Sequence, residues 1–143
     1  MCGIAGFYRF NDSADNKIHT LRNMLTRIKH RGPDESGIYI SDAIGIGSVR
    51  LSIIDLSTGT MPLSNADESL WIVFNGEIFN YIELKDELLA KKHTFKTNSD
   101  TEVIVHLYEE YGADFLKKLN GQFAIAIWDK NKQELFLARD RVG

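Results

Sequence analysis

The residue best suited to chemistry in this chain is its only cysteine, and it stands at position 2. A thiol of ordinary pKa, near 8.5, is only a few per cent thiolate at neutral pH, so it needs a base. The chain has four histidines, His19, His30, His93 and His106. His19, His93 and His106 fall in or beside helical stretches, and no motif ties them to Cys2; His30 reads as structural. Position 2 offers a different base. Removal of Met1, which a small second residue permits, would leave Cys2 with a free α-amino group of reference pKa about 7.7–8.0. Roughly a third of such an amine is neutral near pH 7.5, whereas a lysine is almost wholly charged. Nucleophile and base would then share one residue, as they do for N-terminal threonine nucleophiles. The competing assignment is an inert, small buried hydrophobe, the usual fate of a single cysteine.

Chemistry at a chain end needs an ordered end, and ends normally fray unless they are tied down. The opening "MCGIAGFYRF" is largely apolar. Residues 2–10 read as a strand that would hold the cysteine at or near a buried sheet. "NKIHTLRNMLTRIKH" follows as a helix with Ile18, Leu21, Met24, Leu25 and Ile28 on one face. "RGPDESG" breaks it. "GIYISDAIGIGSVRLSII" reads as two or three short strands around an "SDA" turn, and "DLSTGTMPLSNADES" as loop. "LWIVFN" is a strand stopped by "NGE". "NYIELKDELLAKK" and "SDTEVIVHLYEEYG" are helices, with Asn80/Glu83 and Ser99/Glu102 at capping-box spacing and Gly112 as a stop. "ADFLKKL" is a short further helix, and "GQFAIAIWD" and "ELFLARD" form a hairpin across "KNKQ". Strands that look apolar on both faces, separated by helices and containing antiparallel hairpins, suit two stacked sheets with helices outside.

The bulk numbers narrow the function classes. The 143 residues are 43% hydrophobic and 26% charged, ordinary for one globular domain able to bury a real core. A net charge of −3 supplies no broad basic field for nucleic acid or anionic lipid. One cysteine makes no intrachain disulfide, and no Cys/His cluster has zinc spacing, so no metal is expected. Neither a secretory signal nor a membrane-length apolar run is visible, which suggests a cytoplasmic domain. The strand running straight into "ARDRVG" suggests a domain cut from a longer polypeptide.

The blocks "MCGIAGF", "HRGPDESG", "RLSIIDLSTGTMPL", "VFNGEIFNY", "SDTEVIVHLYEEYG" and "LNGQFAIAIWD…LARDRVG" occur in an order and spacing that resembles a known family. It is the N-terminal glutamine amidotransferase domain of glutamine-dependent asparagine synthetases, a class II, N-terminal-nucleophile type. The likeness covers essentially the whole chain. It implies an α+β fold, a four-layer α/β/β/α sandwich of two mostly antiparallel sheets. It also implies hydrolysis of L-glutamine to glutamate, with ammonia delivered to a second domain.

The resemblance assigns roles to residues of the right chemical type. Cys2 would attack the amide carbon and form a glutamyl thioester. The Asn75 side-chain amide and the Gly76 N–H would stabilise the oxyanion; alone, "NG" reads as a hairpin turn. Arg50 would grip the α-carboxylate, with Leu51 and Ile53 in the same glutamine-pocket block, and Glu77 and Asp100 would hold the α-ammonium. Alone, Arg50 reads as a solvated strand-edge charge and Asp100 as a carboxylate favoured by a helix start. "HRGPD" reads as a helix stop near the site. No nucleotide-binding loop is present, so no cofactor is expected in this chain, and ATP and magnesium belong to the synthetase domain it lacks. The expected partners are L-glutamine and that C-terminal domain, with a homodimer open and no nucleic acid or membrane. Three rival readings remain: a catalytically silent glutamine-binding or regulatory domain, a class II amidotransferase with another acceptor, and an N-terminal-nucleophile hydrolase of a different amide. A chain that retains Met1 would have no free amine on Cys2 and should not hydrolyse glutamine.

Overall fold

The computed structural model describes residues 2–51 and 60–143. Strand β1 (Gly3–Tyr8) is followed by helix α1 (Ala14–Arg27), a 3₁₀ turn at Lys29–Arg31, and strands β2 (Glu35–Ile40) and β3 (Ile44–Arg50). These strands form an antiparallel sheet in the order β1-β3-β2, with Gly3 opposite Val49 and Glu35 opposite Arg50. β3, in the middle, is buried along its whole length. Helix α1 covers one face of this sheet. It starts two residues before the stretch "NKIHTLRNMLTRIKH" does, because Ser13 caps it: Ser13 Oγ accepts from the Asn16 N–H at 3.2 Å. Leu21 and Leu25 are the fully buried members of the expected apolar face.

The second sheet has the order β4-β5-β6-β7, all antiparallel: β4 (Leu63–Ser64), β5 (Leu70–Ile78), β6 (Gly121–Asp129) and β7 (Glu134–Arg139). Successive side chains of a strand point to opposite faces. Leu70, Ile72, Phe74 and Ile78 of β5, with Ile125 and Ile127 of β6, therefore face helices α2 (Tyr81–Ala90) and α3 (Asp100–Tyr111). Val73, Ala126 and Trp128 face the other way and meet Ile44 and Ile46 of the first sheet. The layers run helix, sheet, sheet, helices, as expected for the four-layer sandwich. Central strands apolar on both faces follow directly, since each face is covered. α3 is the most enclosed helix, with every residue from Thr101 to Tyr108 buried. It ends at Gly112, whose φ of 53° suits a residue without Cβ. "ADFLKKL" falls mostly within a 3₁₀ turn, Gly112–Lys118. Among the described residues, no helix is long and apolar enough to cross a membrane.

Three local expectations are corrected. "NGE" does not stop β5; the strand runs through it to Ile78, with Asn75, Gly76 and Glu77 in register with Ala124, Phe123 and Gln122. A turn signal is overridden where a long neighbouring strand is there to pair with it. Asn80 flanks α2 but makes no side-chain cap. Its Nδ2 donates to Lys118 O and its Oδ1 accepts from the Asn120 N–H, both at 2.9 Å, fastening the start of α2 to the chain entering β6. Ser99 does cap α3, accepting from Thr101 N–H at 3.0 Å, but Glu102 does not complete the box. Glu102 instead accepts from the N–H groups of Lys96 and Thr97 and from Thr97 Oγ1, at 2.6–2.8 Å. Burial opposes its charged form, but the nearby His106 and hydrogen bonds from Lys96 and Thr97 outweigh burial and hold its pKa down to about 2.

Because Asn80 acts as a clasp and not as a cap, a good capping residue should not replace it. Asn80→Ala and Asn80→Ser should each lower stability by about 1–2 kcal/mol in urea unfolding. Full recovery of stability in the serine variant would restore the capping role.

Candidate functional site

Strand periodicity explains why the chemically capable residues meet. Cys2 immediately precedes β1 and has the parity of Ile4, which faces the second sheet. Arg50 ends β3 in the parity of Ile44 and Ile46, and Asn75 and Glu77 share the parity of Val73. Because Gly3 lies opposite Val49, Cys2 and Arg50 fall at the same end of their sheet. There the layers part, leaving a cleft of about 580 Å³. Its walls include Cys2, Arg50, Leu51, Asn75, Gly76, Glu77 and Asp100, contributed by both sheets and α3. Ile53 and Met1 lie outside the described residues. A separate groove of about 460 Å³, between α1 and β2, contains none of these seven.

Cys2 is partly buried and anchored from three directions. It leads into β1, its carbonyl accepts from Arg31 Nε at 3.2 Å, and its Sγ lies 3.8 Å from Leu51 O. Cys2 is thus tied down, and its sulfur borders the cleft instead of a sealed core.

Arg50 is 7% exposed and is held by the loop that reads as a helix stop. Glu35 pairs with Nη1 at 3.2 Å, the Asp34 N–H donates to Arg50 O at 3.1 Å, and Pro33 bridges to Arg50 in parallel. Gly32 makes the approach possible, since a Cβ there would lie 2.5 Å from Arg50 N and Val49 C. "HRGPDE" thus acts as a bracket that positions Cys2 through Arg31 and Arg50 through Glu35. Sequence reasoning missed both residues. The "RGPD" block was the available signal, but their targets are 29 and 15 residues away along the chain.

β5 supplies a backbone donor through what it lacks as a neighbour. β4 pairs with Trp71 and Ile72, and among the described residues no strand pairs with the same edge of β5 beyond them. Its outward N–H groups alternate: Phe74 donates to Met61 Sδ at 3.2 Å and Ile78 to Asp100 Oδ2 at 3.1 Å. Gly76, midway between them, directs its N–H to the same edge, where the cleft lies. Its φ of 155°, and a Cβ position only 2.1 Å from Gln122 O, admit glycine alone.

The charges are separated. The guanidinium comes from the first sheet, and the two carboxylates come from β5 and the first turn of α3. Burial pushes the Asp100 carboxyl above its ordinary range, against the pull of its backbone hydrogen bonds, and the Glu77 charge adds to the push. Two acids that repel each other beside a cleft form a site for a cation. With Arg50, the walls carry the complement of a small zwitterion. A thiol, an edge N–H, an asparagine amide and that charge pattern are the parts needed for acyl transfer from an amino-acid amide.

The fold is that of the N-terminal-nucleophile amidotransferases. It superposes on glutamine phosphoribosylpyrophosphate amidotransferase from Bacillus subtilis with a TM-score of 0.71 at 22% identity, covering 96% of this chain and 37% of that one. Residues 1–143 match the family model described as the glutamine amidotransferase domain, and the chain belongs to that family. Among curated proteins, the glutamine-hydrolyzing asparagine synthetases 1 and 2 of Bacillus subtilis are 46% and 48% identical across all of this chain. A probable asparagine synthetase of Dictyostelium discoideum is 41% identical. The chain spans only 23%, 19% and 26% of the length of these three relatives.

The bracket around Arg50 is directly testable. Gly32→Ala must push the loop off β3 and should lower stability by about 1–3 kcal/mol, read as a drop in melting temperature. An unchanged melting temperature would show that the loop does not need this close approach.

Proposed function

We propose that this chain hydrolyses the side-chain amide of L-glutamine, with Cys2 as nucleophile, and serves as the ammonia-producing part of an asparagine-synthetase-like protein. The observation that carries the reading is the convergence of Cys2, Arg50, the Gly76 edge and Asp100 on one cleft. In this reading Arg50 takes the α-carboxylate through its planar fork, and Glu77 and Asp100 take the α-ammonium. The amide carbon is thereby presented to Cys2.

With Met1 removed, the Cys2 α-amine accepts the thiol proton as Sγ attacks the amide carbon. The carbonyl electrons move to oxygen, and the Asn75 amide and Gly76 N–H stabilise the oxyanion. As the oxyanion collapses, the C–N bond breaks, the protonated amine returns its proton to the leaving nitrogen, and ammonia departs. The glutamyl thioester remains. The amine then takes a proton from water, which attacks the thioester. A second collapse breaks the C–S bond and releases glutamate and the thiol. These steps use this chain's residues alone. ATP and magnesium belong to the C-terminal synthetase domain expected in the full-length protein, and its acceptor is left open.

Glutamate release from glutamine, with asparagine as control substrate, tests the assignment. Cys2→Ala should lose roughly 10³-fold or more of the activity. Activity that survives the substitution removes the nucleophile, and equal rates on both amides remove glutamine as the substrate.

The pH profile tests the ammonium subsite separately. Asp100 binds a cation only when ionised, and its pKa lies above the usual aspartate value. As pH falls through that raised pKa, the protonated acid loses its hold, so kcat/KM for glutamine should fall. Asp100→Asn should lower kcat/KM above that pKa, converge on the wild type below it, and abolish this acidic limb. An acidic limb unchanged in the variant would rule out this role for Asp100.

A further inference from the structure

A second cluster of chemically capable side chains lies outside the cleft, on the far part of α3. His106 and Glu109 are one turn apart on that helix, and His93 comes from the connection between α2 and α3. Backbone geometry delivers His93: Lys92 adopts a left-handed φ of 71°, and the His93 N–H closes the turn onto Leu88 O at 3.0 Å. The three side chains converge. His93 Nδ1 lies 3.2 Å from His106 Nδ1, His106 Nδ1 lies 2.7 Å from Glu109 Oε2, and Glu109 Oε2 lies 3.8 Å from His93 Nδ1.

We propose that His93, His106 and Glu109 form a binding site for a divalent transition-metal cation of the zinc class. Bonds of about 2.0–2.1 Å in tetrahedral arrangement place ligand atoms about 3.3–3.4 Å apart, and the three observed spacings bracket that edge. Two imidazole nitrogens and one carboxylate oxygen suit zinc in preference to magnesium or calcium, which select oxygen sets.

The remote atoms of His93 and Glu109 are hydrogen-bonded, and His106 Nε2 has a carboxylate nearby without a hydrogen bond. His93 Nε2 meets Glu110 Oε1 at 2.8 Å, and His106 Nε2 faces Glu102 Oε1 at the ion-pair distance of 3.8 Å. Glu109 Oε1 accepts from Asn65 Nδ2 at 2.8 Å. The Glu110 carboxylate behind His93 orients that ring and raises its basicity, as a metal-binding histidine requires, and the Glu102 charge stands behind His106. Phe95 packs edge-on to the His106 ring with centroids 4.8 Å apart, which further fixes the ring. Side-chain exposures of 15% for His93 and 31% for Glu109 leave solvent a way to a fourth coordination position. The site clamps the α2–α3 connection to the helix that carries Asp100. Linear spacing hides it, because His93 and His106 are 13 residues apart and meet only through the Lys92 turn.

Zinc chloride and cobalt chloride are the probes. The chain, freed of metal by chelator, is titrated in the Cys2→Ala background so that no thiol competes. Expected is one zinc per chain, with micromolar or tighter affinity, and visible absorption of tetrahedral cobalt. His93→Gln and Glu109→Gln, at partly exposed positions, should each weaken zinc by roughly 100-fold, and Glu110→Gln by roughly 10-fold. Circular dichroism of the metal-free variants confirms that they are folded. Absence of zinc binding at about 100 μM, or binding that His93→Gln and Glu109→Gln leave unchanged, overturns the site.

Discussion

The structure turns on a gap in its second sheet. β4 covers Trp71 and Ile72 of β5, and among the described residues no strand pairs with the rest of β5 along that edge. Unpaired backbone groups at a buried edge are costly unless other groups satisfy them. Here the Phe74 N–H is met by the Met61 sulfur and the Ile78 N–H by the Asp100 carboxylate. Gly76 stands between them on the wall of the cleft. A longer β4 would seal this edge and leave no backbone donor for substrate. The short β4 opens the cleft, and the groups that meet the β5 edge include the Asp100 carboxylate.

Everything else at the site has to be brought to that edge, and the two-sheet arrangement does so by parity. Strand side chains alternate, so the residues that build the inter-sheet core in the middle of β1, β3 and β5 become Cys2, Arg50, Asn75 and Glu77 at one end. The core and the site are the same face read at different positions. This is why the cysteine can be both ordered and accessible. Ile4, Ile46 and Val73 pack between the sheets, and the layers separate just beyond them. The bracket from Arg31 to Glu35 then stiffens the end of the first sheet, with Gly32 close against β3.

Much of this was legible in the sequence. Apolar periodicity marked α1, and the uninterrupted apolar runs of the later strands implied coverage on both faces. The resemblance of six short blocks pointed to Cys2, Arg50, Asn75, Gly76, Glu77 and Asp100, which the fold gathers into one cleft. What escaped depends on partners distant in the chain. "NGE" has the composition of a turn, and only β6 lying alongside keeps it extended. Asn80 has the type and spacing of a cap, but Lys118 and Asn120 offer its side chain better partners. Arg31 and Glu35 look like surface charges until β1 and β3 are set beside them. Local propensity is a weak prior wherever tertiary hydrogen bonds compete for the same groups.

Helix α3 shows how polar burial can serve position instead of net stability. Thr101, Glu102 and His106 are all buried on it, an expensive composition unless every group is met. Glu102 is met by the Lys96–Thr97 turn, His106 by Glu109 and His93, and Ser99 Oγ by Thr101 N–H. An apolar helix could slide or rotate by part of a turn with little change in buried area. This one is keyed against such motion where Glu102 meets the Lys96–Thr97 turn and His106 meets His93. Fixing α3 in depth and rotation sets Asp100 beneath the Ile78 N–H and beside Glu77. The buried polar residues along α3 therefore hold the cleft's acidic wall in register with the β5 edge, on which the charge complementarity of the site depends.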